Sequence, residues 1–313
     1  MAPANRHNPV LAKSSQSLYS VHDFRREFPD DDACLEWLWR ERLSPDGEHA
    51  HCPKCEQDRS FKRYKTSQQR QCWTCTGCGH HVHPTAGTIF AKSSRPLTDW
   101  FYVMFLVSSS RCGIAAKQVE RELGCNYKTA WRMLNLVRNK LMVQDDEQLS
   151  GEVEIDETFI GGRPHAYPKQ PKNVHWDKKA IVLGAVERHG RIKATPIPTS
   201  RPMHLSPKVQ EFVLPGSMIF TDEYHAYKRL GRTIYTHRRI KHSAKIYVDG
   251  DVHTNTIEGF FGHFKTDVRG THHSISKRWL LGYLNEWVWK WNRRDDDEAM
   301  FTQLLAAATS TPL

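Results

Sequence analysis

The chain has 313 residues, enough to bury one sizeable core beside one or two small modules. Lysine and arginine (45) outnumber aspartate and glutamate (35), and the net charge of +10 favours a polyanionic partner. No apolar run reaches the roughly 18 residues of a membrane-spanning helix, which excludes that class. Residues 1–18 lack the apolar stretch of a signal peptide and are predicted to be a disordered tail, so we expect a cytoplasmic protein with reduced thiols.

Residues 19–50 are predicted to be a helical segment that acts as scaffold. Within it, the stretch from Phe24 to Arg42 is typical of a single capped helix. Its predicted buried stripe consists of Cys34, Leu35, Leu38 and Trp39.

Five of the eight cysteines lie close together, and residues 51–92 are predicted to form a zinc ribbon. Two Cys-x-x-Cys pairs about fifteen to twenty residues apart are typical of a tetrahedral, structural zinc site. A segment this short and polar has too few apolar side chains to fold without a bound metal. The favoured ligands, which leave a glycine after the last cysteine for a tight turn, are Cys52, Cys55, Cys75 and Cys78. Cys72 is then a spare thiol, although a Cys72/Cys75 pair also satisfies the spacing, and His80, His81 or His83 replacing one sulfur is a further alternative.

Residues 93–143 are predicted to hold a helix-turn-helix DNA-binding region. After the apolar stretch from Pro96 to Val107, Gly124 separates two short amphipathic patterns. The outer face of the second presents groups that can meet phosphates and base edges, namely Tyr127, Lys128, Trp131, Arg132 and Asn135. A plain helical hairpin would produce the same pattern.

The pattern changes from helices to strands after a polar stretch at 144–151, which is predicted to be a linker. Strands are predicted at 152–160, 179–187 and 191–197, followed by alternating helix and strand. This order indicates an α/β (α+β) domain at 152–295 with a mixed sheet flanked by helices, and a C-terminal tail at 296–313.

The stretch from His253 to Lys265 is predicted to be a helix with a polar face that packing does not require. Its apolar side consists of Ile257, Phe260, Phe261 and Phe264. Its polar side consists of Asn255, Glu258, Gly262 and Lys265. A carboxylate, an amide and an ammonium on one face suit a site that holds metal and phosphate.

Two aspartates upstream are expected to meet this helix. Asp156 lies on the polar side of the strand 152–160, and Asp222 ends a short apolar run, so both are expected near one edge of the sheet. There are 35 residues between Asp222 and Glu258, and six between Glu258 and Lys265.

These motifs and spacings resemble those of the DDE-type transposases of bacterial insertion sequences, in the zinc-ribbon group related to the eukaryotic Merlin elements. The resemblance runs from Phe24 to Asn292 and includes Glu-Ile-Asp-Glu-Thr-Phe-Ile-Gly-Gly at 154–162, Thr-Ala-Gly-Thr-Ile-Phe at 85–90 and His-Thr-Asn-Thr-Ile-Glu-Gly at 253–259. It implies a ribonuclease H-like fold for the C-terminal domain. It also implies an enzyme that frees a 3′-hydroxyl at the element's ends, joins it to target DNA and works as a homo-oligomer on DNA.

Phosphodiester cleavage needs an activated water and neutralisation of the departing oxygen, and two Mg²⁺ or Mn²⁺ ions can supply both. Hard cations prefer carboxylate oxygens. We therefore expect Asp156 to bridge two ions, Asp222 and Glu258 to hold one each, and Lys265 to contact phosphate.

The third ligand has an alternative in Asn255, since some members of the resembling group use asparagine there. Asn255 is otherwise expected to orient a ligand. Three acids near the aspartates, Glu154, Glu157 and Glu223, are less favoured alternatives.

A basic segment from Lys228 to Lys245 lies between Asp222 and Glu258 and contains no acid. Its Arg238, Arg239 and Lys241, and the basic loop at 163–179, are expected to contact phosphates of double-stranded DNA, as in a nucleoid-associated protein. Two other hypotheses remain open. One is a DNA-binding regulator with an inactive transposase-derived domain, and the other is a nuclease that cuts without joining.

Overall fold

The computed structural model describes residues 18–65, 71–161, 179–188, 190–232, 234–240 and 253–311. The expected DNA contact Lys241 and most of the basic loop at 163–179 lie outside these ranges, as does the predicted tail before residue 18. The chain divides into two compact units, residues 1–141 with 294–313 and residues 142–293. Across the described ranges, no helix has the length and apolar character needed to cross a membrane.

The first unit begins with two helices, α1 (Val21–Glu27) and α2 (Asp31–Arg42). The prediction of one helix from Phe24 to Arg42 is wrong, because Pro29 interrupts it. A second helix, α2, then begins after its N-cap residue, Asp30. The Asp30 carboxylate accepts the main-chain N–H of Ala33 at 2.8 Å, which caps the new helix. The predicted stripe of α2 is nevertheless buried, as Leu38 and Trp39 are fully inaccessible.

A small antiparallel sheet follows in the order β1-β2-β3-β4, with four strands within the described residues. The strands are β1 (His49–Cys52), β2 (Gln57–Lys65), β3 (Gln71–Cys75) and β4 (His81–Val82). The indole of Trp39 stacks on Trp73 of β3 with ring centroids 4.6 Å apart, which attaches the sheet to α2.

The rest of the first unit is helical: α3 (Leu97–Ser109), α4 (Ala116–Leu123), α5 (Tyr127–Leu136), a π-helical turn (Val137–Leu141) and α9 (Met300–Ser310). The predicted C-terminal tail at 296–313 is wrong, because its apolar residues form a buried helical stripe that packs on α2 and α3. The ring centroid of Phe301 lies 5.7 Å from the ring centroid of Phe24 and 5.9 Å from that of Phe105.

In its described residues, the second unit contains a sheet of five strands in the order β7-β6-β5-β8-β9. The strands are β5 (Glu152–Ile160), β6 (Ala180–Glu187), β7 (Ile192–Ile197), β8 (Met218–Thr221) and β9 (Thr236–Arg239). The first three pair antiparallel, whereas β8 runs parallel to β5 and β9 parallel to β8. The accompanying helices are α6 (Pro202–Phe212), a 3₁₀ helix (His225–Arg232), α7 (Asn255–Asp267) and α8 (Leu280–Asn292). The predicted mixed architecture of helices and strands is confirmed.

Each face of this sheet has its own core. Val153 and Ile155 of β5 point to the face covered by α6. Ile160 of β5 points to the other face, which α7 and α8 cover. Because side chains alternate along a strand, Asp156 lies on the α7 face.

The stretch at 144–151, predicted to be a linker, is part of the second unit. Leu149 is fully buried, and its main-chain N–H donates to the carbonyl of Phe212 at 2.7 Å. The side-chain amide of Gln144 donates to the carbonyl of Ala194 at 2.8 Å. One apolar side chain and a few backbone bonds are enough to attach this otherwise polar stretch to the sheet.

Candidate active site

Asp156 occupies the middle of β5, on the face covered by α7. Burial raises the pKa of its carboxyl to about 8, and the negative charges of Glu157, Asp222 and Glu258 act in the same direction. The main-chain N–H of Glu157 donates to Asp156 Oδ1 at 2.8 Å and partly opposes them. Asp222 and Glu258 of the predicted set therefore both lie close enough to Asp156 for their charges to act on its carboxyl.

Asp222 follows directly after the last residue of β8. Glu154 of β5 is paired with Phe220 of β8 in the parallel register, so two further residues bring Asp222 level with Asp156. Asp222 Oδ1 accepts the main-chain N–H of Tyr224 at 2.9 Å, which fixes the turn that leaves the strand. Two neighbouring strands thus place the two aspartates side by side.

Helix α7 contributes the remaining groups. Its predicted apolar side is buried, and Glu258 lies on the exposed side one turn after Asn255. The Thr254 hydroxyl donates to Glu258 Oε1 at 2.8 Å. Burial lowers the pKa of the half-buried Lys265, while the charge of Asp156 acts to raise it, so this ammonium lies beside the same site.

A glycine allows α7 to lie this close to the sheet. Gly184 of β6 is directly opposite Asp156 in the antiparallel pairing. A Cβ at this position would lie 2.7 Å from Ile257 Cδ1 and 2.7 Å from Phe261 Cζ, closer than carbon atoms can approach. Sequence patterning did not identify Gly184, although a glycine inside an apolar strand signals close approach of another element.

The neighbouring acids have other partners. Glu157 points to the opposite face of the sheet, where its carboxylate accepts the hydroxyl of the buried Tyr227, and burial raises the pKa of Glu157 to about 7. Glu154 is fully buried and accepts the main-chain N–H of Thr256 at 2.8 Å. Glu223 is half-buried immediately after Asp222.

The four favoured cysteines of the first unit converge. The sulfur atoms of Cys52 and Cys78 lie 3.6 Å apart, those of Cys55 and Cys75 lie 3.9 Å apart, and all four lie within 4.8 Å of one another. Thiolates around a tetrahedral zinc ion with bonds of about 2.3 Å are about 3.8 Å apart, so the four residues could bind a metal such as zinc. In the described part of the chain, no other group of three or more Cys, His, Asp or Glu side chains converges in this way.

The backbone around these cysteines supports a thiolate site. Burial acts to raise the pKa of the Cys52 thiol, but the N–H groups of Cys55 and Lys54 and the thiols of Cys75 and Cys78 together lower the value to about 6. Gly79, with φ of +70°, donates its N–H to the carbonyl of Cys75 at 3.0 Å and closes the second turn. Cys72 is buried in β3 outside this group, and burial raises its pKa.

Some of the side chains that were predicted to contact DNA are exposed, and others are half-buried. On α5, Tyr127, Lys128 and Arg132 are exposed, whereas Trp131 and Asn135 are half-buried. The Asn126 side chain caps α5 by accepting the N–H of Thr129 at 2.8 Å. In the second unit, Arg238 and Arg239 are exposed on β9, and Arg239 is paired with Thr221, the residue before Asp222.

A known protein family and two known proteins resemble this chain. Residues 148–292, nearly the whole second unit, match the family model of the ISXO2-like transposase domain. An uncharacterized protein in the transposable element ISH50 of Halobacterium salinarum is 27% identical over 248 residues, covering 74% of this chain and 77% of the relative. An uncharacterized transposase-like protein of Haemophilus influenzae is 28% identical over 99 residues, covering 32% of this chain and 79% of the relative. The second unit therefore resembles the transposase domain of insertion sequences, and the family match together with these relatives supports a DDE-type transposase.

Proposed function

We propose that this protein is a transposase that binds the ends of an insertion sequence, hydrolyses the phosphodiester there to free a 3′-hydroxyl, and joins that hydroxyl to target DNA. The observation that carries the proposal is the placement of three acids around one face of the sheet, with Asp156 on β5, Asp222 directly after the adjacent strand β8 and Glu258 on the covering helix α7. A buried carboxyl whose pKa is raised by burial and by nearby acids is typical of a functional site, and hard divalent cations prefer carboxylate oxygens.

The order and direction of the strands support a ribonuclease H-like domain. Three antiparallel strands, β7, β6 and β5, are extended by the parallel strands β8 and β9. Asp156 on the central strand and Asp222 at the end of its neighbour are then adjacent, and α7 covers the same face.

The residues of the proposed active site have different roles in binding metal ions and phosphate. Asp156, Asp222 and Glu258 would hold two Mg²⁺ or Mn²⁺ ions, which when bound activate a water and stabilise charge on the departing oxygen. Lys265 neutralises the phosphate next to the scissile bond from the same side. Asn255, one turn before Glu258, is the alternative third ligand or a group that orients it.

DNA binding is proposed for both units. In the first, Lys128, Trp131 and Arg132 of α5 form the surface that contacts the element's ends, and the four-cysteine module is a zinc ribbon that supports it. In the second, Arg238 and Arg239 of β9 contact phosphates beside the cleavage site. Joining two ends to one target favours a homo-oligomer on DNA.

A strand-joining assay with Mg²⁺, with Mn²⁺ and with cognate ends tests the proposal. Wild-type protein should cleave and join, and Asp156→Asn and Asp222→Asn should each lower the rate by about 10³-fold or more, since the two ions act together. Glu211→Gln, which removes an exposed acid of α6 in the same unit, is the matched control and should keep full activity.

Several outcomes would change the assignment. Joining that survives both aspartate substitutions would refute the proposed site. A wild type that binds ends without cutting would favour the regulator, and one that cuts without joining would favour the nuclease. Comparing Glu258→Gln with Asn255→Ala identifies the third ligand as the residue whose loss is as damaging as that of Asp156.

A further inference from the structure

Glu154 is a buried carboxylate on the same strand and the same face as Asp156, two residues away, and both of its oxygens are occupied. Oε2 accepts the main-chain N–H groups of Thr256 at 2.8 Å and Ile257 at 3.2 Å, in the first turn of α7. Oε1 accepts the Thr256 hydroxyl at 3.1 Å and lies 3.0 Å from Nδ1 of His253. A negative charge at the start of a helix satisfies N–H groups that have no partner within the helix. Glu154 therefore ties β5 to the start of α7.

Arg188, at the end of β6, completes this arrangement. Its Nε lies 3.3 Å from Glu154 Oε1, and its Nη1 lies 2.9 Å from Glu152 Oε2. Its Nη2 donates to the main-chain carbonyl of His253 at 3.4 Å, just before α7 begins. Its guanidinium carbon lies 4.0 Å from the ring centroid of Phe220, two residues before Asp222 on β8.

The pair thus contacts every element that carries one of the three acids. Glu154 belongs to the strand of Asp156, its bonds to Thr256 and Ile257 hold the helix of Glu258, and Arg188 packs on the strand of Asp222. A buried ion pair adds little net stability over apolar packing, because both charges lose their hydration. Its directed hydrogen bonds do determine where the helix starts relative to the strands.

We propose that Glu154 and Arg188 are positioning residues that set the separation of Asp156, Asp222 and Glu258 for a pair of divalent cations. The inference rests on the proposed function of those three acids. Glu154 acts through α7 and is not itself a metal ligand, because its oxygens already accept N–H and O–H groups.

The test is Glu154→Gln in the full chain, assayed for joining over a series of Mg²⁺ concentrations. The substitution keeps the size of the side chain and one acceptor oxygen, but removes the charge that holds Arg188 and the α7 amides. We expect joining at low Mg²⁺ to fall about 10- to 100-fold, and the half-maximal Mg²⁺ concentration to rise several-fold or more. Binding of end DNA in EDTA should stay unchanged, and the amides of Thr256 and Ile257 should exchange hydrogen faster.

A matched control is Glu286→Gln on α8, which also breaks a buried ion pair, with Lys290 at 2.7 Å, but on a helix that carries none of the three acids. It should lower stability while leaving the half-maximal Mg²⁺ concentration at the wild-type value. If Glu154→Gln does not fold, Arg188→Lys carries the same test, because lysine keeps the charge but cannot reach Glu152, Glu154 and His253 together.

The outcomes separate two failures. Wild-type joining and Mg²⁺ dependence in a folded Glu154→Gln, beside an inactive Asp156→Asn, would overturn this inference alone. An equal shift in Glu286→Gln would also overturn it, because the effect would then follow from lost stability. A wild type that joins no DNA, or an Asp156→Asn variant that still joins it, would overturn the proposed function and this inference together.

Discussion

The cysteine group of the first unit and the acid group of the second are both proposed to bind divalent ions, but they are assembled in different ways. The four thiols come from two short chain turns and lie within 4.8 Å of one another. The three carboxylates come from three separate elements, and burial, with the charges of Asp222 and Glu258, raises the pKa of Asp156 to about 8. Local geometry brings the thiols together, whereas the packing of a whole domain holds the acids.

This difference separates two roles that ligands play. Soft thiolates in a closed tetrahedron leave no position for substrate, which suits a structural ion. Carboxylates that are spread more widely leave room for water and phosphate oxygens between them. The cysteine group should therefore govern folding, and the acid group should govern chemistry.

Replacing one of the four clustered cysteines should have the largest effect on folding. Cys75→Ser should reduce bound zinc from one ion per chain to none and unfold the small sheet, because zinc binding contributes on the order of 10 kcal/mol to such modules. The second unit should stay folded. Metal analysis and amide hydrogen exchange measure both effects. Cys72→Ala, in the same strand but outside the group, should keep its zinc, and zinc retained by Cys75→Ser would contradict the ligand set.

Filling the space at Gly184 should disturb the acid site through packing alone. Gly184→Ala places a methyl group against Ile257 and Phe261, and should cost about 1–3 kcal/mol and displace α7. The free energy of unfolding, measured with denaturant, and the rate of DNA joining should both fall. Gly259→Ala, on α7, meets no atom within 4 Å and should leave stability unchanged or raise it by up to about 1 kcal/mol. A Gly184→Ala variant with wild-type stability would argue against this close packing.

The burial of Asp156, together with the charges of the acids around it, predicts a pH effect on the stability of the protein without divalent ions. The pKa of Asp156 is raised from 3.8 to about 8 on folding, so the folded state binds the extra proton. Its contribution to stability is complete below pH 4 and is lost as the pH rises towards 8. Asp156→Asn should therefore be more stable than wild type by about 1–3 kcal/mol at pH 8 in EDTA, with no such gain near pH 4. Unfolding curves at the two pH values measure this, and an equal gain at both would refute it.

The smallest expected effect is on the affinity of the first unit for DNA. Arg132→Ala should weaken binding to the element's ends by about 1 kcal/mol, a factor of about five, and weaken binding to random DNA less. Competition binding at fixed salt measures both affinities. Arg121→Ala, an exposed arginine on α4, should weaken both equally. Equal losses for Arg132→Ala would make it a phosphate contact only.

Much of the site was predictable because its signals are local. The spacing of the cysteines, with the glycine after the last one, favoured Cys52, Cys55, Cys75 and Cys78, and these four thiols do converge in the structure. The 3.6-residue pattern separated the buried side of α7 from the side that carries Glu258. Two local predictions failed where a single residue or a long-range contact decided the outcome. Pro29 divided the predicted first helix, and burial of Phe301 converted the predicted tail into α9.

By itself, the sequence determined which residue types were present at ligand spacing, and which faces of strands and helices were polar, because both depend on backbone repeats of only a few residues. Only the tertiary structure decided that Gly184 admits α7 to the sheet and that Glu154 and Arg188 join the three elements carrying the acids. The physical reason is that these contacts link residues from 32 to 103 positions apart in the chain, so no local pattern encodes them.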